Sequence, residues 1–267
     1  MSENNHTRPM GWSHVVRLGL VQACLGAMVV LATSTLNRIM VVELALPALV
    51  PGLLVGFHYA IQMVRPRMGY GADRGRRCTP WMLGGVATLA LGGTLAAVGT
   101  THMAQSQVQG LAICALAFAL IGLGVSAAGT SLLTLMSKRV PETMRAPAAT
   151  TVWVMMIMGF AITAVTVGKL IEPYSPQRLI DVTAGLGLVI VLITSLALWG
   201  LESGTQPVSE SSQGSRLRNM GDFRQALSEV WQDPQARLFT LFVFLSMRSE
   251  EHTSELQSLA YLVCRLL

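Results

Sequence analysis

The chain has 267 residues, of which 52% are hydrophobic and 12% are charged, and its formal net charge is +5. A soluble domain carries about 25% charged residues, so this composition excludes an ordinary soluble protein and indicates a membrane protein. The basic residues follow the topology of the predicted spans, and their excess therefore does not indicate a nucleic-acid partner.

Six apolar stretches follow one another along the chain, each about long enough to cross a bilayer. About 20 residues of helix span a hydrocarbon core of about 30 Å. Unpaired backbone amides are too costly in lipid, so each stretch is predicted to be helical. We therefore expect an all-α polytopic membrane helix bundle with spans at 15–36, 45–64, 80–100, 108–136, 148–169 and 183–200.

The third and fourth predicted spans are rich in small residues. Small residues let helix backbones approach closely, which favours helix association in membranes. We expect close packing at Gly84, Gly85, Gly92 and Gly93 in the third span, and at Gly122, Gly124, Ala127, Ala128 and Gly129 in the fourth.

Basic residues outside the spans lie almost entirely on one side of the predicted bundle. Fourteen Lys and Arg residues fall on the side of the N-terminus, and three, Arg38, Lys169 and Arg178, fall on the other. Cytoplasmic segments carry such an excess. The N-terminus (1–14) and the segment 201–236 are therefore predicted to be cytoplasmic, and the first apolar run is too long for a cleavable signal peptide.

Composition changes after residue 200. Residues 202–215 are poor in apolar side chains and predict a flexible linker. Residues 237–247 are apolar again and predict the start of a seventh span that stops short of crossing the bilayer. Between them, apolar residues at helical spacing predict an amphipathic helix on the membrane surface or against the cytoplasmic ends of the bundle, with Phe223, Leu227, Val230 and Trp231 on its apolar face.

Residues 248–267 are expected not to be native protein. The run from Arg248 to Gln257 can be written as a translated reading frame of a common sequencing adapter, and Ser258 is compatible with it. We therefore expect a gene fragment that is cut inside the seventh span and fused to adapter, with a genuine polar tail as the alternative. No site residue is expected in this segment.

A charged pattern follows the second predicted span. The run GYGADRGRR (69–77) resembles the signature of major facilitator transporters, whose fold has two six-helix halves built from inverted repeats. The resemblance implies the N-terminal six-helix half of that fold plus the start of a seventh helix. A glycine here would permit close helix approach, and the aspartate would receive cationic partners or helix-end dipoles, whereas an ordinary basic turn is the alternative. The matching residues are Gly69, Asp73, Arg74, Gly75 (one position early), Arg76 and Arg77.

Residues 36–81 resemble more narrowly the PucC family, the bacteriochlorophyll delivery branch of the facilitator superfamily. The matching pieces are LNRIMVVEL (36–44), Pro47, the pair His58 and Tyr59, and Arg65 and Arg67. The short connection before span three departs from the longer insertion of many members. The resemblance implies a factor that delivers bacteriochlorophyll to light-harvesting complexes or assembles them, in a bacterial inner or intracytoplasmic membrane. Its partners would be the lipid bilayer and light-harvesting apoproteins or pigment-synthesis machinery.

Polar side chains at membrane depth are costly and are therefore functional candidates. Asn37, Arg38 and Glu43 lie near the end of the first span. Arg38 and Glu43 are five residues apart, about 140° around a helix, so we expect a turn between spans or partners on other helices. The alternative is an arginine that reaches the outer interface and a glutamate in a loop.

His58 lies in the middle of the second predicted span. A neutral imidazole can ligate the magnesium of a chlorin ring, but it is also a common hydrogen-bonding group inside helical bundles. The residues alone favour the second interpretation, and the family resemblance strengthens the first. We therefore expect bacteriochlorophyll as a transient ligand, and no tightly bound cofactor or metal.

Two functions other than pigment delivery stay open. A scaffold for antenna helices would use the same bundle, and a proton-coupled facilitator would move a small solute. A proton-coupled carrier usually needs a carboxylate within the bundle, whereas Glu43 and Asp73 lie at span ends. An enzyme is not expected, because the sequence has no Walker loop, no metal-ligand spacing and no nucleophile elbow.

Overall fold

The computed structural model describes residues 10–74, 77–202, 228, 231–238, 240 and 241, and the chain divides into two units after Ser215. In the first unit the described residues form helices and the short connections between them. The α-helices are α1 (Trp12–Val30), α2 (Leu36–Arg38), α3 (Leu49–Ile61), α4 (Arg65–Arg74), α5 (Thr79–His102), α6 (Gln107–Arg139), α7 (Glu142–Ile171) and α8 (Pro176–Leu198).

The predicted polytopic helix bundle is confirmed. Five helical segments among the described residues are long and apolar enough to cross a membrane. A helix satisfies its own backbone hydrogen bonds, which is why such apolar sequences adopt it in lipid. The five segments are Trp12–Glu43, Thr79–His102, Gln107–Arg139, Glu142–Ile171 and Pro176–Leu198.

The first segment is longer than the predicted span and contains two π-helical turns. These turns, Leu31–Thr35 and Ile39–Glu43, flank α2. In each, a backbone N–H bonds to the carbonyl five residues earlier, as from Leu44 to Ile39 at 3.1 Å. Single π-turns inside helices frequently occur at functional sites. The helix ends before Ala45, whose φ of 50° lies in the left-handed region that is uncommon for a residue with a Cβ.

The second predicted span differs from the prediction. Instead of one long apolar helix, α3 has 13 residues and is followed by a 3₁₀ turn, Gln62–Val64, before α4 begins. Pro66 explains the interruption, because it lacks an N–H for the carbonyl of Gln62 and its ring would clash with that carbonyl. The predicted span is helical only from Leu49, and its hydrogen-bonding pattern changes where it approaches the basic segment.

The glycines of α5 and α6 place these two helices backbone to backbone. A Cβ added at Gly85 would lie 2.6 Å from the backbone nitrogen of Ala128, and one added at Gly124 would lie 2.6 Å from the carbonyl oxygen of Gly85. The predicted close packing is therefore confirmed at these positions. It is wrong for Gly84 and Gly129, which face open space.

The other helices arrange themselves around this pair. Helix α8 packs on α5 and α1, and α7 packs mainly on α1, where a Cβ at Gly159 would lie 2.5 Å from the Ala23 carbonyl oxygen. Helices α3 and α4 pack mainly on α6. Thus α3–α4 and α7 are peripheral elements, each with one principal neighbour.

Large apolar side chains cover much of the outer surface of the first unit. In the 18 most apolar consecutive residues of each helix, only 17% are buried in α7 and only 28% in α8. A soluble protein rarely exposes so much contiguous apolar surface, whereas a bilayer solvates it. Exposed examples are Leu53, Met63, Trp153, Ile157, Ile162, Leu188 and Leu196.

The second unit is described only at residues 228, 231–238, 240 and 241. These residues are helical apart from Asp233, whose Oδ1 accepts a hydrogen bond of 2.9 Å from the backbone N–H of Gln235. Trp231 and Leu238 are exposed. The other apolar positions of the predicted amphipathic helix, most of the predicted seventh span and the whole segment 248–267 lie outside the described residues.

Candidate functional site

His58 lies on the face of α3 that packs against α6, and only 1% of its surface is exposed. The two helices approach closely at Gly122 of α6, where a Cβ would lie 2.9 Å from the carbonyl oxygen of His58. The imidazole Nε2 is 2.6 Å from Nε2 of Gln62, and Oε1 of Gln62 accepts a hydrogen bond from Arg65. The predicted pigment-binding residue is therefore buried in a seam between two helices.

The second ring nitrogen of His58 lacks a hydrogen bond of ordinary geometry. Its Nδ1 is fully buried and has no partner among the described residues. Buried polar atoms in native proteins are nearly always paired, so an unpaired one marks a position to examine for function.

The transporter-like signature begins on a helix and not in a loop. Helix α4 continues to Arg74, and it therefore carries Gly69, Asp73 and Arg74. A Cβ at Gly69 would lie 3.0 Å from Cγ2 of Thr130, so the α4 backbone runs close to α6 there. Arg77 is exposed, and Gly75 and Arg76 lie outside the described residues. The functional roles of these residues stay predictions.

His58 and Gly69 share one seam along α6. His58 lies next to Gly122, and Gly69 lies next to Thr130. Residue numbers therefore increase in the same direction along both elements, so α3–α4 runs parallel to α6. The structure thus places the buried histidine and the first signature residue along the same helix pair.

The candidates near the end of the first span lie at the end of the bundle where α7 connects to α8. Arg38 forms an ion pair of 3.4 Å with Glu172 in the connection between α7 and α8, and both side chains are more than half exposed. Such a pair contributes at most about 1 kcal/mol. Oδ1 of Asn37 is buried without a hydrogen-bond partner among the described residues, whereas Glu43 is exposed. Burial, reinforced by the charge of Glu43, raises the pKa of Tyr174 in the same connection.

A buried carboxylate that the sequence analysis missed lies at the end of the bundle where α5 begins and α6 ends. Glu202, four residues after α8 ends, accepts hydrogen bonds from the backbone N–H groups of Cys78 and Thr79 at 2.9 and 3.1 Å. Its carbonyl oxygen accepts one from Arg139 at 3.2 Å. Glu202 therefore caps the N-terminus of α5 and connects it to the C-terminus of α6. The sequence signal that could have indicated this cap is an acidic residue directly after the last predicted span.

Arg17 holds the end of α8 at the same end of the bundle. Its Nε donates to the carbonyl oxygen of Ala197 at 2.8 Å, and its Nη2 donates to that of Trp199. A cation at a helix C-terminus satisfies carbonyls that have no partner within the helix. The ends of α6 and α8 and the starts of α1 and α5 therefore meet in one polar layer.

Comparison with known proteins identifies the family. The model of the PUCC protein family matches residues 35–251. The chain belongs to the PucC family. It is 48% identical over 239 residues to the "Bacteriochlorophyll synthase 44.5 kDa chain" of Rhodobacter capsulatus, which covers 89% of this chain and 54% of that protein.

Two proteins named PucC are more distant relatives. The PucC protein of Rhodobacter capsulatus is 31% identical, covering 72% of this chain and 44% of its own length, and that of Cereibacter sphaeroides is 30% identical, covering 70% and 44%. This PucC-family chain thus spans about half the length of the curated relatives it matches. No solved structure matches it significantly.

Proposed function

We propose that this PucC-family chain belongs to a membrane factor that delivers bacteriochlorophyll to light-harvesting complexes or assembles them. The observation that carries the proposal is the 48% identity to a relative whose name refers to bacteriochlorophyll synthesis, within a family that matches residues 35–251. The apolar helices support it, because they would place the protein in the bilayer, where a lipid-soluble pigment such as bacteriochlorophyll dissolves.

His58 is the residue proposed to bind the pigment. Its imidazole is buried within the apolar part of α3, with Nε2 2.6 Å from Gln62 and Nδ1 without a hydrogen-bond partner among the described residues. Neutral imidazole is a good metal ligand, so a ring nitrogen of His58 would hold the magnesium of a chlorin. When bound, the pigment would supply the magnesium, and the protein would supply the ligand, the orientation and the exclusion of water.

Deletion of the gene in its host tests the proposal. We expect loss of the absorbance of light-harvesting complexes, with bacteriochlorophyll synthesis continuing and the full-length gene restoring the complexes. Undiminished complexes would contradict the proposal. Arrest of pigment synthesis with accumulated precursors would instead indicate a part in the synthase reaction, which the name of one relative suggests.

Proton-coupled transport of a small solute is the second candidate. Within the described part of the chain, the carboxylates lie at helix ends or in connections, as at Glu43, Glu142 and Glu172. This placement favours pigment handling over proton coupling, because a proton-coupled carrier usually needs a titratable carboxylate within the bundle. Solute uptake by proteoliposomes that depends on a pH gradient would favour the transporter.

A further inference from the structure

Three polar side chains form a continuous hydrogen-bonded chain along one face of α3 and α4. His58, Gln62 and Arg65 are four and three residues apart, a spacing that places them on the same face of a helix. Arg65 bonds to Gln62, and Gln62 bonds to His58 at 2.6 Å. Arg65 is exposed, whereas His58 is buried against α6, so the chain runs from the surface of the bundle into the seam.

The chemistry of the three groups fixes the direction of each bond. A guanidinium can only donate, so Arg65 must face the amide oxygen of Gln62. The amide nitrogen of Gln62, which also can only donate, is then directed at the ring. Nε2 of His58 must therefore accept, and in the neutral imidazole the proton lies on Nδ1. Arg65 thus sets the orientation of Gln62, and Gln62 sets the tautomer of His58.

This tautomer is the one that a metal ligand bonding through Nε2 requires. Histidines that ligate metals through one ring nitrogen usually donate the other N–H to a carboxylate, a carbonyl or water. In His58 that N–H is buried without a hydrogen-bond partner among the described residues. Nε2 is then the nitrogen that could hold the magnesium of a chlorin, and Gln62 occupies the lone pair of that atom.

Gln62 lies in the break between two α-helices. It begins the 3₁₀ turn between α3 and α4, which the missing N–H of Pro66 keeps out of the regular helix. The principal neighbour of α3–α4 is α6, and the close contacts between them have a glycine on one side, as at Gly122 against Ile61. Because His58 is buried against α6, a pigment would reach its ring only if α3–α4 separated from this one principal neighbour.

We propose that Gln62 is a displaceable cover on Nε2 of His58, and that Arg65 is the positioning residue that keeps Gln62 and the imidazole ready for the magnesium of a chlorin. The inference rests on the proposed function and deepens it, because it describes how that binding residue is held before pigment arrives. Withdrawal of Gln62 would break one neutral hydrogen bond and free the lone pair of Nε2, with which His58 would hold the magnesium.

The tautomer is tested without pigment, by nitrogen NMR of the ¹⁵N-histidine-labelled full-length protein in lipid nanodiscs. Subtraction of the His58→Gln spectrum assigns the signals of His58. We expect protonated Nδ1 and unprotonated Nε2 in the wild type and in Arg67→Met, a matched control on a neighbouring exposed arginine. In Arg65→Met the amide can turn over, so we expect a mixture of tautomers. A wild-type proton on Nε2, or an unchanged Arg65→Met spectrum, would overturn the proposal.

Pigment binding tests the cover. The probes are purified bacteriochlorophyll and its magnesium-free form, titrated into the full-length protein. We expect Gln62→Ala to bind the magnesium pigment about threefold to tenfold more tightly, the range that one released hydrogen bond produces. We expect His58→Leu to lose this binding, and the magnesium-free pigment to bind both variants and the wild type equally.

The outcomes separate this inference from the proposed function. Equal binding of the magnesium pigment by wild type and Gln62→Ala overturns the cover, and retention of that pigment by His58→Leu overturns the site. In either case the loss of light-harvesting complexes in the deletion strain would still support pigment delivery. Normal complexes in that strain would remove the proposed function.

Discussion

The carboxylate of Glu202 caps helix α5 through Thr79, accepting hydrogen bonds from both the backbone N–H and the hydroxyl of that residue, at 3.1 and 2.7 Å. The Glu202 side chain is 8% exposed, and Nη2 of Arg139 lies 4.0 Å from its Oε1. Because Glu202 follows α8, this cap links the end of α8 to the start of α5 and, through Arg139, to the end of α6.

We expect Glu202→Ala to destabilise the bundle by about 1–3 kcal/mol, because backbone N–H groups at the start of α5 lose a charged acceptor. Glu202→Gln keeps one acceptor oxygen and should cost less. Thermal unfolding in detergent measures both. Glu142→Gln is the control, since its side chain is 83% exposed. Equal stability of Glu202→Ala and this control would show that the cap adds nothing.

Gly124→Ala is expected to destabilise the bundle by about 1–3 kcal/mol through overpacking. The new Cβ would lie 2.6 Å from the carbonyl oxygen of Gly85 and 2.7 Å from the backbone nitrogen of Leu89, so α5 and α6 would have to separate. Gly129→Ala is the matched control on the same helix, because its Cβ meets nothing within 4 Å. Thermal unfolding should distinguish the two variants, and identical melting curves would contradict the close approach.

The predicted orientation can be checked by labelling single cysteines from the outer face of intact cells. A cysteine at Gln105 or at Ser175 should react, because both connections are predicted to lie outside. A cysteine at Ser211 should react only after the membrane is opened. The opposite pattern would reverse the topology inferred from the distribution of Lys and Arg.

Asp73→Asn is expected to impair assembly of light-harvesting complexes with little effect on membrane insertion. Asp73 lies at the last turn of α4, next to a connection that is predicted to be cytoplasmic, where loss of its charge removes a partner for cations or helix ends. Complex absorbance in a complemented deletion strain measures the first effect, and protein in the membrane fraction measures the second. Full activity would leave the signature as a marker of topology alone.

Helix positions were largely determined by the sequence alone. Predicted spans at 80–100, 108–136, 148–169 and 183–200 each fall within α5, α6, α7 or α8 except at the last two residues of the final span. Backbone amides must be paired in lipid, and a helix pairs them all within one apolar segment, so hydropathy and length locate these helices. The family could also be inferred from residues 36–81, and the match to the PUCC model confirms it.

Tertiary structure decided what the polar residues do. Hydropathy cannot show that Gln62 bonds to His58 or that Arg38 pairs with Glu172. Nor can it show that Glu202, a charged residue just after α8, caps the start of α5. Nor did it anticipate the π-turns of the first helix or the break at Gln62 that Pro66 produces. The polar contacts depend on which residues, distant in sequence, meet where two helices pack. The π-turns and the break depend on local backbone hydrogen bonds. The average apolarity of a segment contains neither kind of information.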